Sequence, residues 1–98
     1  MLKELFINAM ENFDTECLFV ESSLGNFIIE DFFIKIEENF VTIEGSEYDK
    51  CTEEQNGLLR GLKIDLNKIT DFEDYSGNGE NFIAVGINNG EHYAEFSN

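Results

Sequence analysis

The stretch Asn81–Phe96, NFIAVGINNGEHYAEF, decides the fold. Apolar residues alternate with small or polar ones on both sides of Asn88-Asn89-Gly90, and Asn-Gly supplies the positive φ values that a type I′ turn requires. The stretch therefore predicts a β-hairpin, with strands over Phe82–Asn88 and Glu91–Phe96. In its second arm His92, Ala94 and Phe96 share one side, and Glu91, Tyr93 and Glu95 the other.

The same two-residue period runs back along the chain to Cys17, in short segments rich in Phe, Ile and Val. It predicts strands over Cys17–Glu21, Phe27–Glu37, Phe40–Glu44 and Leu62–Leu66, the last with a continuation toward Phe72. Leu24-Gly25-Asn26 joins the first pair, and Glu38-Asn39 is a tight hairpin between the next two. In IKIEENFVTIEG, Ile34, Ile36, Val41 and Ile43 face one side, while Lys35, Glu37, Thr42 and Glu44 face the other. In LKIDLNKI, Leu62, Ile64 and Leu66 oppose Lys63, Asp65 and Asn67. Between Gly45 and Gly61 the pattern weakens to SEYDKCTEEQNGLLR, which reads as a loop or a short helix beginning near Thr52-Glu53-Glu54-Gln55.

Only the N-terminus has helical spacing. Leu2, Leu5, Phe6, Ala9, Met10 and Phe13 form one apolar stripe, with Lys3, Glu4, Asn8, Glu11 and Asn12 opposite. A helix of about three turns is marginal alone and must pack on the sheet. The predicted fold is α+β: an N-terminal amphipathic helix on one face of a mostly antiparallel sheet of five or six strands, in a single domain spanning residues 1–98. The other face of that sheet is expected to be wet and acidic.

With 42% hydrophobic residues the chain can fill a core. Its charge is the unusual property: 21 Asp and Glu against 6 Lys and Arg, a formal net of −15. A small domain usually stays soluble with a net magnitude of about 2 to 8 and mixed signs, so solubility does not account for the excess. Membrane surfaces and nucleic acids are themselves negative, which argues against direct binding to either. A basic protein partner is favoured instead. The expected radius of gyration, about 13 Å, gives a diameter of about 34 Å, over which duplex DNA carries about 20 charges. The protein's charge density thus approaches that of a nucleic acid.

No motif carries catalytic chemistry, and no enzyme activity is expected. Asp74-Tyr-Ser-Gly-Asn-Gly-Glu80 begins like a calcium loop, with Asp74, Ser76 and Asn78 in ligand register and Gly79 at the turn. The position that requires a bidentate Glu is Val85, and the flanks are strand-like, so the segment reads as a strand connection. Gly77-Asn-Gly79 lacks the third glycine and the helix of a phosphate loop. Cys17, Cys51 and His92 are scattered without zinc-finger spacing, and the two cysteines are too few for a disulfide framework. No metal or cofactor is implied. Glu4 and Asn8 interrupt the segment in which a signal peptide would need its apolar centre, so a cytoplasmic location is expected.

Two acidic clusters are the candidate contacts for a basic partner: Glu44, Glu47, Asp49, Glu53 and Glu54 in the long connection, and Asp71, Glu73, Asp74 and Glu80 around the later loop. Tyr48, Tyr75 and Tyr93 are candidate aromatic anchors beside them. In size, charge and helix-plus-sheet layout the chain resembles small phage-encoded inhibitors, anti-CRISPR proteins and DNA mimics among them, and also the immunity proteins of nuclease toxins. The resemblance implies an inhibitor whose carboxylates occupy the phosphate-binding surface of a nuclease or other nucleic-acid-handling protein. The alternative is a structural or assembly module whose charge only maintains solubility.

Overall fold

The computed structural model describes residues 2–13, 16–49 and 54–98, with the backbone alone for Asp49 and residues 54–58. Helix α1 (Leu2–Glu11) precedes β1 (Cys17–Ser22), β2 (Gly25–Ile36), β3 (Phe40–Asp49) and β4 (Glu54–Asp65). A 3₁₀ turn over Leu66–Lys68 then leads into β5 (Ile69–Asp74), β6 (Phe82–Ile87) and β7 (His92–Ser97). All strands form one antiparallel sheet in the order β4-β3-β2-β1-β7-β6-β5. The protein is α+β with an N-terminal helix, and the sheet has seven strands rather than five or six.

The additional strand has a local cause. The run from Leu62 to Phe72 does not continue as one strand, because Asp65 Oδ1 accepts the Asn67 N–H at 3.0 Å and caps the 3₁₀ turn. This splits the run into β4 and β5, which occupy opposite edges of the sheet.

The segment after Gly45 also departs from expectation. It is neither loop nor helix: β3 and β4 continue as a long hairpin with Gly45 opposite Arg60, Ser46 opposite Leu59, and Asp49 opposite Glu54. Such a ribbon satisfies its backbone through the ladder without needing an apolar alternation. Thr52 and Glu53 of the expected helix start lie outside the described residues, and Glu54 and Gln55 open β4.

Because β4 and β5 are consecutive in sequence yet outermost in the sheet, the sheet curls until its two turns meet. The Leu66 N–H donates to Asn39 O at 2.8 Å, and the Asn88 N–H donates to Lys68 O at 3.0 Å. The 3₁₀ turn thereby clasps the β2–β3 turn to the β6–β7 turn. Inside the curl, Leu18, Val20, Ile29, Val41, Ile43, Ile64, Ile83, Val85 and Phe96 are buried together with Phe6, Met10 and Phe13. The Phe6 ring lies 5.9 Å from that of Phe96. Burial of each such side chain contributes about 1.5–3 kcal/mol, which holds the short helix in place. Leu5, placed on the helix stripe by periodicity, is exposed, and Ile7 packs on the core in its stead.

Two turns follow the Asn-Gly rule. Asn89 (φ 58°) and Gly90 (φ 90°) form the turn closed by the Glu91 N–H donating to Asn88 O, with Asn88 also left-handed. Asn78 (φ 54°) and Gly79 (φ 82°) form another, closed by reciprocal bonds between Gly77 and Glu80 of 3.0 and 2.9 Å. The sequence DYSGNGE is therefore a hairpin turn.

The alternation in β2 is interrupted once. Asp31 adopts φ 50° at a bulge between Glu30 and Phe33, which buries Phe32 and turns Phe33 outward. The backbone there approaches β3 so closely that a Cβ on Gly45 would lie 2.8 Å from Glu30 O and 2.9 Å from Phe32 Cα.

Candidate interaction surface on the outer face

Residues paired directly across a sheet lie on the same face, so the registers specify what the outer face presents. On β1, β7 and β6, Phe19 pairs with Ser97 and Ser97 with Phe82. The Tyr75 N–H donates to Phe82 O at 2.8 Å, and the two rings meet edge to face with centroids 5.8 Å apart. One row across three strands is thus Phe19, Ser97 and Phe82, continued by Tyr75 just past the end of β5. Two positions along each strand runs a second row: Glu21 opposite Glu95, Glu95 opposite Ala84, and Ala84 opposite Glu73. A third row holds Tyr93, Gly86 and Asp71.

Aromatics and carboxylates therefore lie in adjacent rows about 6.8 Å apart, two residues at about 3.4 Å each. Phe19 is 43% exposed, Phe82 37%, Tyr75 61% and Tyr93 45%. The Tyr75 hydroxyl donates to Glu73 Oε2, which ties the two rows together at the β5 edge. The expectation of a wet acidic face is thus incomplete, because the outer face is acidic and aromatic together.

The two halves of the outer face differ in charge. On the β2–β4 half, Lys35 pairs with Glu37 at 3.6 Å, and Lys63 Nζ lies 4.5 Å from the Phe40 ring centroid. On the inner side of the same half, where Glu47 pairs with the buried Ile29 and Phe27 with the buried Val20, Arg60 reaches Glu47 Oε2 at 3.2 Å, with its guanidinium 5.0 Å from the Phe27 centroid. The β1-β7-β6-β5 half presents Glu21, Glu95, Glu73 and Asp71 with no lysine or arginine among the described residues.

An open groove of about 730 Å³ joins the halves, with Phe19, Glu21, Tyr48, Arg60, Phe82 and Glu95 in its walls.

The sequence-predicted clusters are not brought together. Glu44 and Glu47 lie on β3, half-buried, and Glu47 is held by Arg60. Asp49 and Glu54 pair at the far end of the β3–β4 hairpin, and Glu53 lies outside the described residues. Asp71 and Glu73 stand on β5, Asp74 at its end, and Glu80 just after the Asn78-Gly79 turn, all exposed. Between β3 and β5 intervene β2, β1, β7 and β6, about 24 Å along the sheet at about 4.8 Å per strand. Glu44 on β3 and Asp71 and Glu73 on β5 lie toward opposite ends of the outer face whose middle is Phe19, Phe82, Glu21 and Glu95.

Asp74 has a local role. Its Oδ1 accepts the Ser76 N–H at 2.8 Å, and hydrogen bonding from the Ser76 side chain and backbone holds its carboxyl below the ordinary aspartate range. It organises the entry to the turn. Among the described residues, no group of three or more His, Cys, Asp or Glu is placed to hold a metal ion.

No protein-family model, curated protein or solved structure matches the chain. The functional reading accordingly rests on the surface itself. Among the described residues, no helix is long and apolar enough to cross a membrane.

Sequence reasoning missed Glu21, Glu95, Phe19 and Phe82 as a group. Alternation in CLFVES and HYAEFS places each on the outer side, but only the β1–β7 register sets them side by side.

Proposed function

We propose that the protein is an acidic inhibitor that binds the basic surface of a nucleic-acid-handling protein, such as a CRISPR effector or another nuclease, and competes there with nucleic acid. The observation that carries this reading is the outer face of β1, β7, β6 and β5, where carboxylates, without a lysine or arginine among the described residues, lie beside exposed aromatic rings. Charge steers association and selects a cationic partner, whereas aromatic rings supply the desolvated contacts that give an interface its lifetime. The 39 Å long axis of the molecule matches a length of duplex DNA bearing about 23 phosphate charges, the same order as the net of −15. No reaction is assigned to the surface, and a cytoplasmic setting belongs to the same proposal.

The test is affinity capture from lysate of the source cell or its infected host, at low and at high salt, followed by elution with excess duplex nucleic acid. The expected result is a basic nucleic-acid-binding protein retained at low salt and released by either treatment. Retention that withstands both salt and nucleic acid rules out competition.

One observation favours the second reading, an assembly module: Phe33 is 51% exposed and Leu59 70% exposed on the β2–β4 half. Assembly through such residues strengthens as salt screens the mutual repulsion of copies bearing −15 each. Sedimentation of the purified protein at two salt concentrations separates the readings, because an inhibitor of the proposed kind stays monomeric at both.

A further inference from the structure

We propose that the outer face of β1, β7 and β6 contains a seat for an arginine side chain of the partner, with the guanidinium between Glu21 and Glu95 and the stem against Phe19 and Phe82. This deepens the inhibitor reading and rests on it. It replaces general acidity with one defined contact.

Register builds the seat. Phe19 and Phe82 stand on either side of Ser97, two strand spacings or about 9.6 Å apart, so a small residue floors a gap between two rings. Glu21 and Glu95 face each other directly, with Cα atoms about 4.5–5.5 Å apart, one row along the same strands. All five residues line the groove. Like charges opposed in this way are destabilising, which a cation lying between them would reverse.

Arginine fits this arrangement better than other occupants. Its planar fork donates to two carboxylates at once, its face stacks on aromatic rings, and it is more weakly hydrated than an ammonium. Its apolar stem can lie on the ring row while its head reaches the carboxylate row. The groove already contains one guanidinium held by the same chemistry: Arg60 lies 3.2 Å from Glu47 and 5.0 Å from the Phe27 centroid. That arginine is engaged at the β3–β4 side of the groove, and no ion pair to Glu21 or Glu95 is formed among the described residues. A second copy of this chain or a nucleic acid would bring negative charge onto two glutamates.

The test uses two labelled peptides of equal length, oligo-arginine and oligo-lysine, with affinities followed by fluorescence anisotropy. The intact protein is expected to bind the arginine peptide about fivefold or more tighter. The Glu21→Gln/Glu95→Gln double variant is expected to lose about tenfold for the arginine peptide, the loss of one good charge-assisted contact. Glu4→Gln/Glu11→Gln, on the exposed side of α1, removes the same charge elsewhere and is expected to lose less than about twofold. Phe19→Leu and Phe82→Leu keep the charge and should narrow the preference for arginine over lysine. Thermal melting of every variant verifies that the fold is retained.

If the two peptides bind alike and both double variants weaken them equally, the seat is overturned while the broader acidic-surface reading stands. If neither peptide binds even at low salt, both fall.

Discussion

The strands β1, β7 and β6 carry phenylalanine on both faces, and the two sets have opposite surroundings. On the inner face Phe96 is fully buried against Phe6 of the helix, with Leu18, Val20, Ile83 and Val85 in the same core. On the outer face Phe19 and Phe82 are about two-fifths exposed, and the next row holds Glu21 and Glu95. One row of rings is covered by the chain's own helix. The other stays about two-fifths exposed, with the Phe82 ring edge to face with Tyr75. Exposed aromatic residues concentrated on one face, rather than scattered, mark a surface for something else.

The sharpest way to break this comparison is to truncate one ring from each face. Phe96→Ala is expected to destabilise the protein by about 3–5 kcal/mol, because it removes a fully buried ring and leaves a cavity under the helix. Phe19→Ala, on the neighbouring strand, is expected to cost about 1 kcal/mol or less. Urea denaturation of the two variants measures the difference. Equal losses would mean that the outer ring is structural, and the interface reading would lose its main support.

A smaller effect tests the carboxylates. Glu21→Gln or Glu95→Gln is expected to raise stability by about 0.2–1 kcal/mol, since each relieves like charges directly opposed across the ladder. Glu47→Gln is expected to lower it by about 0.2–1 kcal/mol, since it weakens the pair with Arg60. The same chemical change thus has opposite signs at carboxylates opposed to each other and at one paired with a guanidinium. If all three variants shift stability in one direction, the distinction between opposed and paired carboxylates fails. The stability difference at Glu21 should also shrink as salt is added, because an exposed repulsion is screened.

These contrasts also show what was legible in the chain. The hairpin Phe82–Ile87 with His92–Ser97 was readable because Asn-Gly and the two-residue alternation are local signals, as was the helix from its apolar stripe. The β3–β4 hairpin was not, because residues 46–49 and 54–56 carry no apolar alternation. There the backbone ladder, rather than side-chain patterning, makes the strand. The meeting of Glu21 with Glu95 was illegible for a different reason. It depends on the first strand pairing with the last, which closure of the curled sheet determines and neither local segment encodes. The acidic clusters at Glu44–Glu54 and Asp71–Glu80 were visible as runs of sequence, whereas the aromatic and acidic rows between them exist only in three dimensions.

The smallest expected effect concerns Asp74, the carboxylate whose role is local rather than part of the outer rows. Hydrogen bonds from the Ser76 side chain and backbone depress its folded-state pKa, so the unfolded chain takes up this proton first as pH falls. Its stabilising contribution is therefore fully present above the unfolded value of about 3.9 and is lost as pH drops through the folded value. Asp74→Asn retains an acceptor for Ser76 but removes the charge. The variant should be slightly less stable than the parent at neutral pH, and the gap should close in strong acid, where Asp74 is protonated in both states. Paired urea melts at about pH 7 and about pH 2 avoid the poorly soluble region near the sequence pI of 4.1. A gap that stays constant between them would mean that the turn at Asn78-Gly79 holds its shape without the charge of Asp74. The Ser76 contact would then follow from the hairpin rather than help to form it.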